Sequence, residues 1–193
     1  MTLKNPWRKG FALPVLASRA DVDYARLEVD NGNTAFNEGK QFRISHEYSI
    51  AETPIVLRFE SPVDFILQLQ DLTCDLEAVK FTAFRSTQGV ESGVFSDVVP
   101  IYRVNLTAET KDLDPLAGIT TGGVFTPTVG QVSVETIRLR AGGGHAKSQT
   151  VTGAVGDERG LSAGIYYLQI ERLDGNTNAE GVYSLVWEEK RNV

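Results

Sequence analysis

The stretch Gln41–Leu72 reads QFRISHEYSIAETPIVLRFESPVDFILQLQDL, and its period decides the fold class. Phe42, Ile44, Tyr48 and Ile50 fall on one side of an alternation, with Arg43, Ser45, Glu47 and Ser49 on the other. Successive side chains of an extended chain point to opposite faces, so this is a strand with one buried and one wet face. His46 falls on the apolar face. Ile55, Leu57 and Phe59 repeat the pattern against Arg58 and Glu60. Val63, Phe65, Leu67 and Leu69 repeat it again, with Asp64, Gln68 and Gln70 opposite. Pro54 and Pro62 stand between the three segments, where a missing N–H breaks no ladder.

Working outward, Val79–Phe84, Val98–Leu106, Val132–Leu139, Ile165–Leu173 and Val182–Glu188 carry the same strand signal. Gln88–Gly93 reads as a turn or loop. Asp174-Gly175-Asn176 separates the last two strands, and Asp-Gly accepts the positive φ angles of a tight hairpin. Residues 111–130 and 140–160 are rich in Gly, Pro and small polar side chains and read as long loops. Val22–Val29 fits neither the strand nor the helix period. Roughly eight short strands with almost no helix predict an all-β chain, an antiparallel β-sandwich or jelly roll. Residues 25–193 form its single domain, preceded by an extended N-terminal arm over 1–24. Loops as long as 111–130 and 140–160 are functional, disordered or used for contact with a partner in a domain of this kind.

The chain has 193 residues and a formal charge of −6, with 25 acidic residues against 19 basic ones. That balance argues against nucleic-acid binding driven by counterion release, which needs concentrated positive charge. No apolar run approaches the length of a membrane span, and no secretory h-region is visible, so synthesis in the cytoplasm is expected. One cysteine, Cys74, cannot form an internal disulfide, and one Cys with two His cannot make a zinc site of the usual spacing.

The chemistry-bearing residues read as structural. His46 shares a strand face with Phe42 and Ile44, the setting of a partly buried, hydrogen-bonded imidazole. His145 follows Gly142-Gly143-Gly144, but the spacing of Lys147 does not match a phosphate-binding P-loop. Cys74 has no neighbouring base in the sequence to activate it as a nucleophile. No Gly-x-Ser-x-Gly elbow occurs. Asp174, Asn176, Asn178 and Glu180 alternate oxygen-bearing side chains, as calcium loops do, yet Gly175 comes too early for an EF-hand and a solvated hairpin explains them. Asn105-Leu106-Thr107 is a formal glycosylation sequon without a secretory route. Of the adjacent Tyr166 and Tyr167, one is expected to face out of its sheet, and Trp187 to lie in the core. No catalytic residue, metal ligand or cofactor is assigned.

Two segments carry a family likeness: Asn37-Glu38-Gly39-Lys40-Gln41-Phe42-Arg43-Ile44 and Val182-Tyr-Ser-Leu-Val-Trp-Glu-Glu-Lys190. Together with the glycine-rich stretch before the last hairpin, they resemble small virion structural proteins of tailed bacteriophages. In those proteins an arm passes through a His- or Asn-rich turn and a Glu-Gly-Lys-like step into paired strands. Here Asn33-Thr-Ala-Phe36 stands where the His-rich version would be. The resemblance implies a β-sandwich head protein, a capsid decoration (cement) protein that binds the major capsid protein as a homotrimer. Its place would be the capsid surface of the virion, with neither nucleic acid nor membrane as partner. The alternative it leaves is a head-fibre or tail-associated protein with a receptor- or carbohydrate-binding sandwich.

The arm has the composition for such contact. Trp7, Phe11, Leu13, Val15 and Leu16 are apolar anchors, and Arg8 and Lys9 sit among them. Residues 1–28 hold five basic side chains against Asp21, Asp23 and Glu28, a net of +2, which leaves −8 for the remainder. An aromatic, basic arm on an acidic body suits docking on an acidic surface or on a neighbouring subunit.

Overall fold

The alternation over Gln41–Leu72 becomes three long strands in the computed structural model, which describes residues 34–75, 77–106, 114–140, 149–152, 159–173 and 178–191. In chain order the strands are β1 (Gln41–Ile50), β2 (Ile55–Ser61), β3 (Phe65–Cys74), β4 (Val79–Arg85), β5 (Gly89–Ser92), β6 (Asp97–Val98) and β7 (Tyr102–Arg103). There follow β8 (Gly118–Thr121), β9 (Val124–Pro127), β10 (Glu135–Leu139), β11 (Gln149–Thr152), β12 (Arg159–Leu161), β13 (Gly164–Arg172) and β14 (Ala179–Glu189). One helical turn, Thr34–Asn37, precedes β1.

Among the described residues every strand pairing is antiparallel, and the strands form two six-stranded sheets and one ribbon. Sheet I runs β11-β3-β14-β1-β7, with β12 also on β3. Sheet II runs β10-β4-β13-β2-β8-β6. The ribbon is β5 with β9. Hairpin partners in sequence end up in different sheets: β1 and β3 in sheet I flank β2 in sheet II. The inner faces of both sheets meet in one apolar cluster, the arrangement of a β-sandwich. Its spine is aromatic and bridges the sheets. Phe59 of sheet II meets Trp187 of sheet I edge-on at 5.3 Å, and Phe65 meets Tyr166 edge-on at 5.6 Å. Phe81 and Tyr183 stack at 5.2 Å. These geometries are the ones ring quadrupoles favour. Trp187 is fully buried, as its alternation predicts.

The strand β3 departs from simple alternation. Leu67 pairs with Trp187 and Leu69 with Val186, so Gln68 is an extra residue opposite a continuous partner strand. Such a bulge inverts the facing of everything beyond it. Leu69 therefore leaves the face it was expected to share with Phe65 and Leu67, and Gln70 turns inward and is buried.

Three other expectations are corrected. Gln88–Gly93 is not merely a turn: after a short 3-10 turn, Ser86–Gln88, it contains β5. Val98–Leu106 is not one strand, because the chain crosses at Pro100 from β6 in sheet II to β7 in sheet I. Leu106 and Tyr102 are consequently exposed. Residues 111–130 contain β8 and β9, and 140–160 contain β11 and the start of β12. The arm over 1–24 with its Trp7, Arg8, Lys9, Phe11, Leu13, Val15 and Leu16, the Val22–Val29 stretch, His145 and the Asp174-Gly175-Asn176 turn lie outside the described residues.

The C-terminal end is tied by a buried carboxylate. Glu189 lies at the inward phase of β14, two residues past Trp187, and is fully buried. It accepts from the backbone N–H of Leu116 and of Ala117, each at 3.0 Å. Arg191 pairs with it at 2.6 Å and lies over the ring of Phe42. The pair thus fixes the 114–118 segment to the last strand, with the carboxylate's lone pairs occupied by charge-assisted bonds.

Candidate functional site

The ribbon is the feature the inner core does not require. It lies on the outer face of sheet II, where Val56, Phe84, Phe125 and Tyr167 form a second, separate apolar cluster. Phe125 on β9 stacks on Tyr167 of β13 at 4.1 Å, and Phe84 and Phe95 close around them. Tyr167 does leave the inner face of its sheet, as one of the tyrosine pair was expected to, but the ribbon covers it and it is 2% exposed. At Gly123 a Cβ would stand 2.7 Å from Phe95 Cζ, so glycine here lets the Phe95 ring lie against the turn that leads into β9.

A polar clamp accompanies the packing. Tyr167 Oη donates to Glu91 of β5. Arg58 of β2 stands 3.5 Å from the same carboxylate and 2.7 Å from Glu60. Burial, and then the hydrogen bond to Glu91, raises the Tyr167 phenol above its ordinary pKa, so it stays a donor.

With Phe125 and Glu91 turned to the sheet, alternation turns the neighbouring positions out. Val90 and Val124 occupy the outward face and are 68% and 44% exposed. Val94, Val129 and Val132, at the two ends of the ribbon, are exposed as well. Gln88 anchors one end by donating to the Val132 carbonyl, and Thr128 N donates to Gln88 O at 2.9 Å. The result is a braced β-ribbon whose outer side carries valines in water. Valine is a core and strand residue, and apolar groups gathered on one exposed element mark contact surfaces.

A second surface lies on the outer face of sheet I. Ser45 and Ser184 face each other across β1 and β14, with Leu69, Val186, Arg43 and Tyr102 around them, in a groove of about 370 Å³. Tyr102 is 55% exposed. Beside it, β1 pairs with β7 only at Phe42 and Arg43, so among the described residues its edge from Ile44 to Ile50 has no strand partner. An unpaired edge of that length is a template for an added strand.

No family model, curated protein or solved structure matches the chain. The assignment of these surfaces therefore rests on their geometry.

The residues weighed for chemistry are placed apart. His46 is half-buried on β1 opposite Tyr183, and burial lowers its pKa from the usual 6.5. Cys74 is buried at the end of β3, its thiol donating to the Glu77 carbonyl. The amide of Asn105 is turned inward and donates to the Phe36 carbonyl at 3.0 Å. Among the described residues, no group of three or more His, Cys, Asp or Glu is placed to hold a metal ion, and no helix is long and apolar enough to cross a membrane.

The ribbon was missed in the sequence. Val90 and Val124 lie in segments whose glycines and prolines read as loop, and nothing in either segment names the other as its partner. Glu189 had a usable signal, because it continues the period of Leu185 and Trp187.

Proposed function

We propose that this chain is a structural protein of a virion, which binds the assembled capsid and stabilises it without a chemical step. The observation that carries the reading is the ribbon: aromatic and clamped on its underside, valine-bearing on its outer side. A surface of this kind is costly in water and is offset when a partner covers it. The sequence likeness to tailed-phage head proteins supplies the class of partner, the major capsid protein. Copies arranged on a symmetric shell, as a homotrimer, multiply a modest contact into firm attachment. The edge of β1, unpaired beyond Arg43 among the described residues, supports the same reading, since an arm such as residues 1–24 of a neighbouring copy could add to it as a strand.

The test is co-sedimentation of the purified protein with capsids built from the capsid protein of the same phage. The native chain is expected to travel with the capsids, and the double variant Val90→Asp, Val124→Asp to remain at the top of the gradient while keeping its native spectrum. If the native protein stays behind as well, the cementing role is wrong.

A second reading is favoured by Tyr102, an exposed aromatic ring beside the Ser45–Ser184 groove. An aromatic face next to hydroxyl groups suits a sugar, which places this alternative on a head fibre or tail. Retention on a glycan array that is lost in Tyr102→Ala would favour it over capsid binding.

A further inference from the structure

The bulge at Gln68 has brought a polar side chain into the sandwich. Gln70 is 6% exposed, and among the described residues its Nε2 has no hydrogen-bond partner. Tyr183 is fully buried, and its Oη has none either. Gln70 is opposite Leu185, so Tyr183 is its diagonal neighbour on the same inner face, a separation that long side chains span. Both line a cavity of about 110 Å³ between the sheets, walled by Phe59, Phe65, Leu168 and Leu185. Its rim carries Glu135 of β10 and Arg159 of β12, paired at 2.9 Å across the two sheets. Arg159 is half exposed there and Glu135 mostly buried.

Two unpartnered donors in an otherwise apolar chamber are unusual, because nearly all buried polar groups find a partner. Burial, then the charge of Glu135, raises the Tyr183 phenol far above its ordinary pKa, with Arg159 opposing, so the phenol keeps its proton. The chamber thus offers O–H and N–H donors against aromatic and aliphatic walls. A carbonyl oxygen, with two lone pairs, answers both donors. An apolar cavity of about 150 Å³ holds benzene with its six non-hydrogen atoms, so this one, at about 110 Å³, limits a guest to about four. The ion pair at the rim makes no demand for charge on the guest, and the walls disfavour it.

We propose that this cavity is a binding site for a small, uncharged, largely apolar carbonyl compound, held by Gln70 and Tyr183. The site is distinct from the ribbon and groove, and it does not depend on the capsid reading.

The probe pair is acetone and isobutene, each of four non-hydrogen atoms, which share a shape and differ in the acceptor. Each is titrated into the full-length protein while the side-chain amide signals of Gln70 are followed by NMR. Acetone is expected to shift those signals and to bind at least about tenfold more tightly than the hydrocarbon, the worth of a hydrogen bond made in a buried site. Gln70→Leu and Tyr183→Phe are expected to bring the ratio close to one. Equal affinity for the two probes in the native protein overturns the proposal. So does an unmoved Gln70 signal, or a bound water at Gln70 and Tyr183 that the ketone fails to displace. Should either variant fail to fold, the ratio measured on the native protein still decides.

Discussion

The core between the sheets and the smaller layer under the ribbon are both apolar, yet they are closed by different means. Between the sheets, long strands pair over up to ten residues, and rings from both sides interlock. Under the ribbon, two strands of four residues are held by Phe125, by the room that Gly123 leaves and by the Tyr167–Glu91–Arg58 clamp. The first region can lose little without losing the fold. The second is expected to open while the sandwich stays folded. A contact surface carried on such a layer is tuned without disturbing the core beneath it.

The difference is open to direct attack. Trp187→Ala empties the middle of the aromatic spine and is expected to cost about 3–5 kcal/mol, read as a lower denaturant midpoint with the slope unchanged. Glu189→Ala is expected to cost about 3 kcal/mol, because Arg191 and two backbone N–H groups are left buried without their acceptor. Hydrogen exchange should quicken for 116–118 in that variant. Gly123→Ala pushes against Phe95 and is expected to cost about 1–2 kcal/mol, confined to the ribbon. Amide exchange should then rise over 89–92 and 124–127 while β1 and β14 stay protected; equal loss of protection in both regions would remove the distinction drawn here.

The smallest expected effect concerns His46. Its folded pKa is lowered from 6.5 by burial, so the unfolded chain binds the proton more readily. Its contribution is undiminished above that value and falls as pH drops through 6.5 toward the lowered one, since stability declines where the unfolded state takes up more protons. His46→Gln should flatten the stability profile in that window. The capsid binding proposed for the ribbon should not follow His46 at all.

Much of the inner core was legible before the structure. Phe42, Ile44, Leu57, Phe59, Phe65 and Trp187 each lie on the face that alternation assigns, and all are buried. Legibility ended where the local rule was broken or where partners were distant. Gln70 reads as solvent-facing until Gln68 is seen to be skipped by β14, and a bulge is a property of the pairing rather than of either strand alone. The ribbon joins Gly89–Ser92 to Val124–Pro127 across more than thirty residues, through segments dominated by turn formers.

By itself, the order of residues determined that this chain is extended, which faces of its longest strands avoid water, and therefore that sheets must pack on sheets. That information is local, because side chains alternate along a strand whatever lies beside it. Only the tertiary structure decided which strands share a sheet, that a third layer covers Tyr167, and that Gln70 and Tyr183 meet in one chamber. Those outcomes depend on register and on long-range pairing, where shifting one residue exchanges inside for outside.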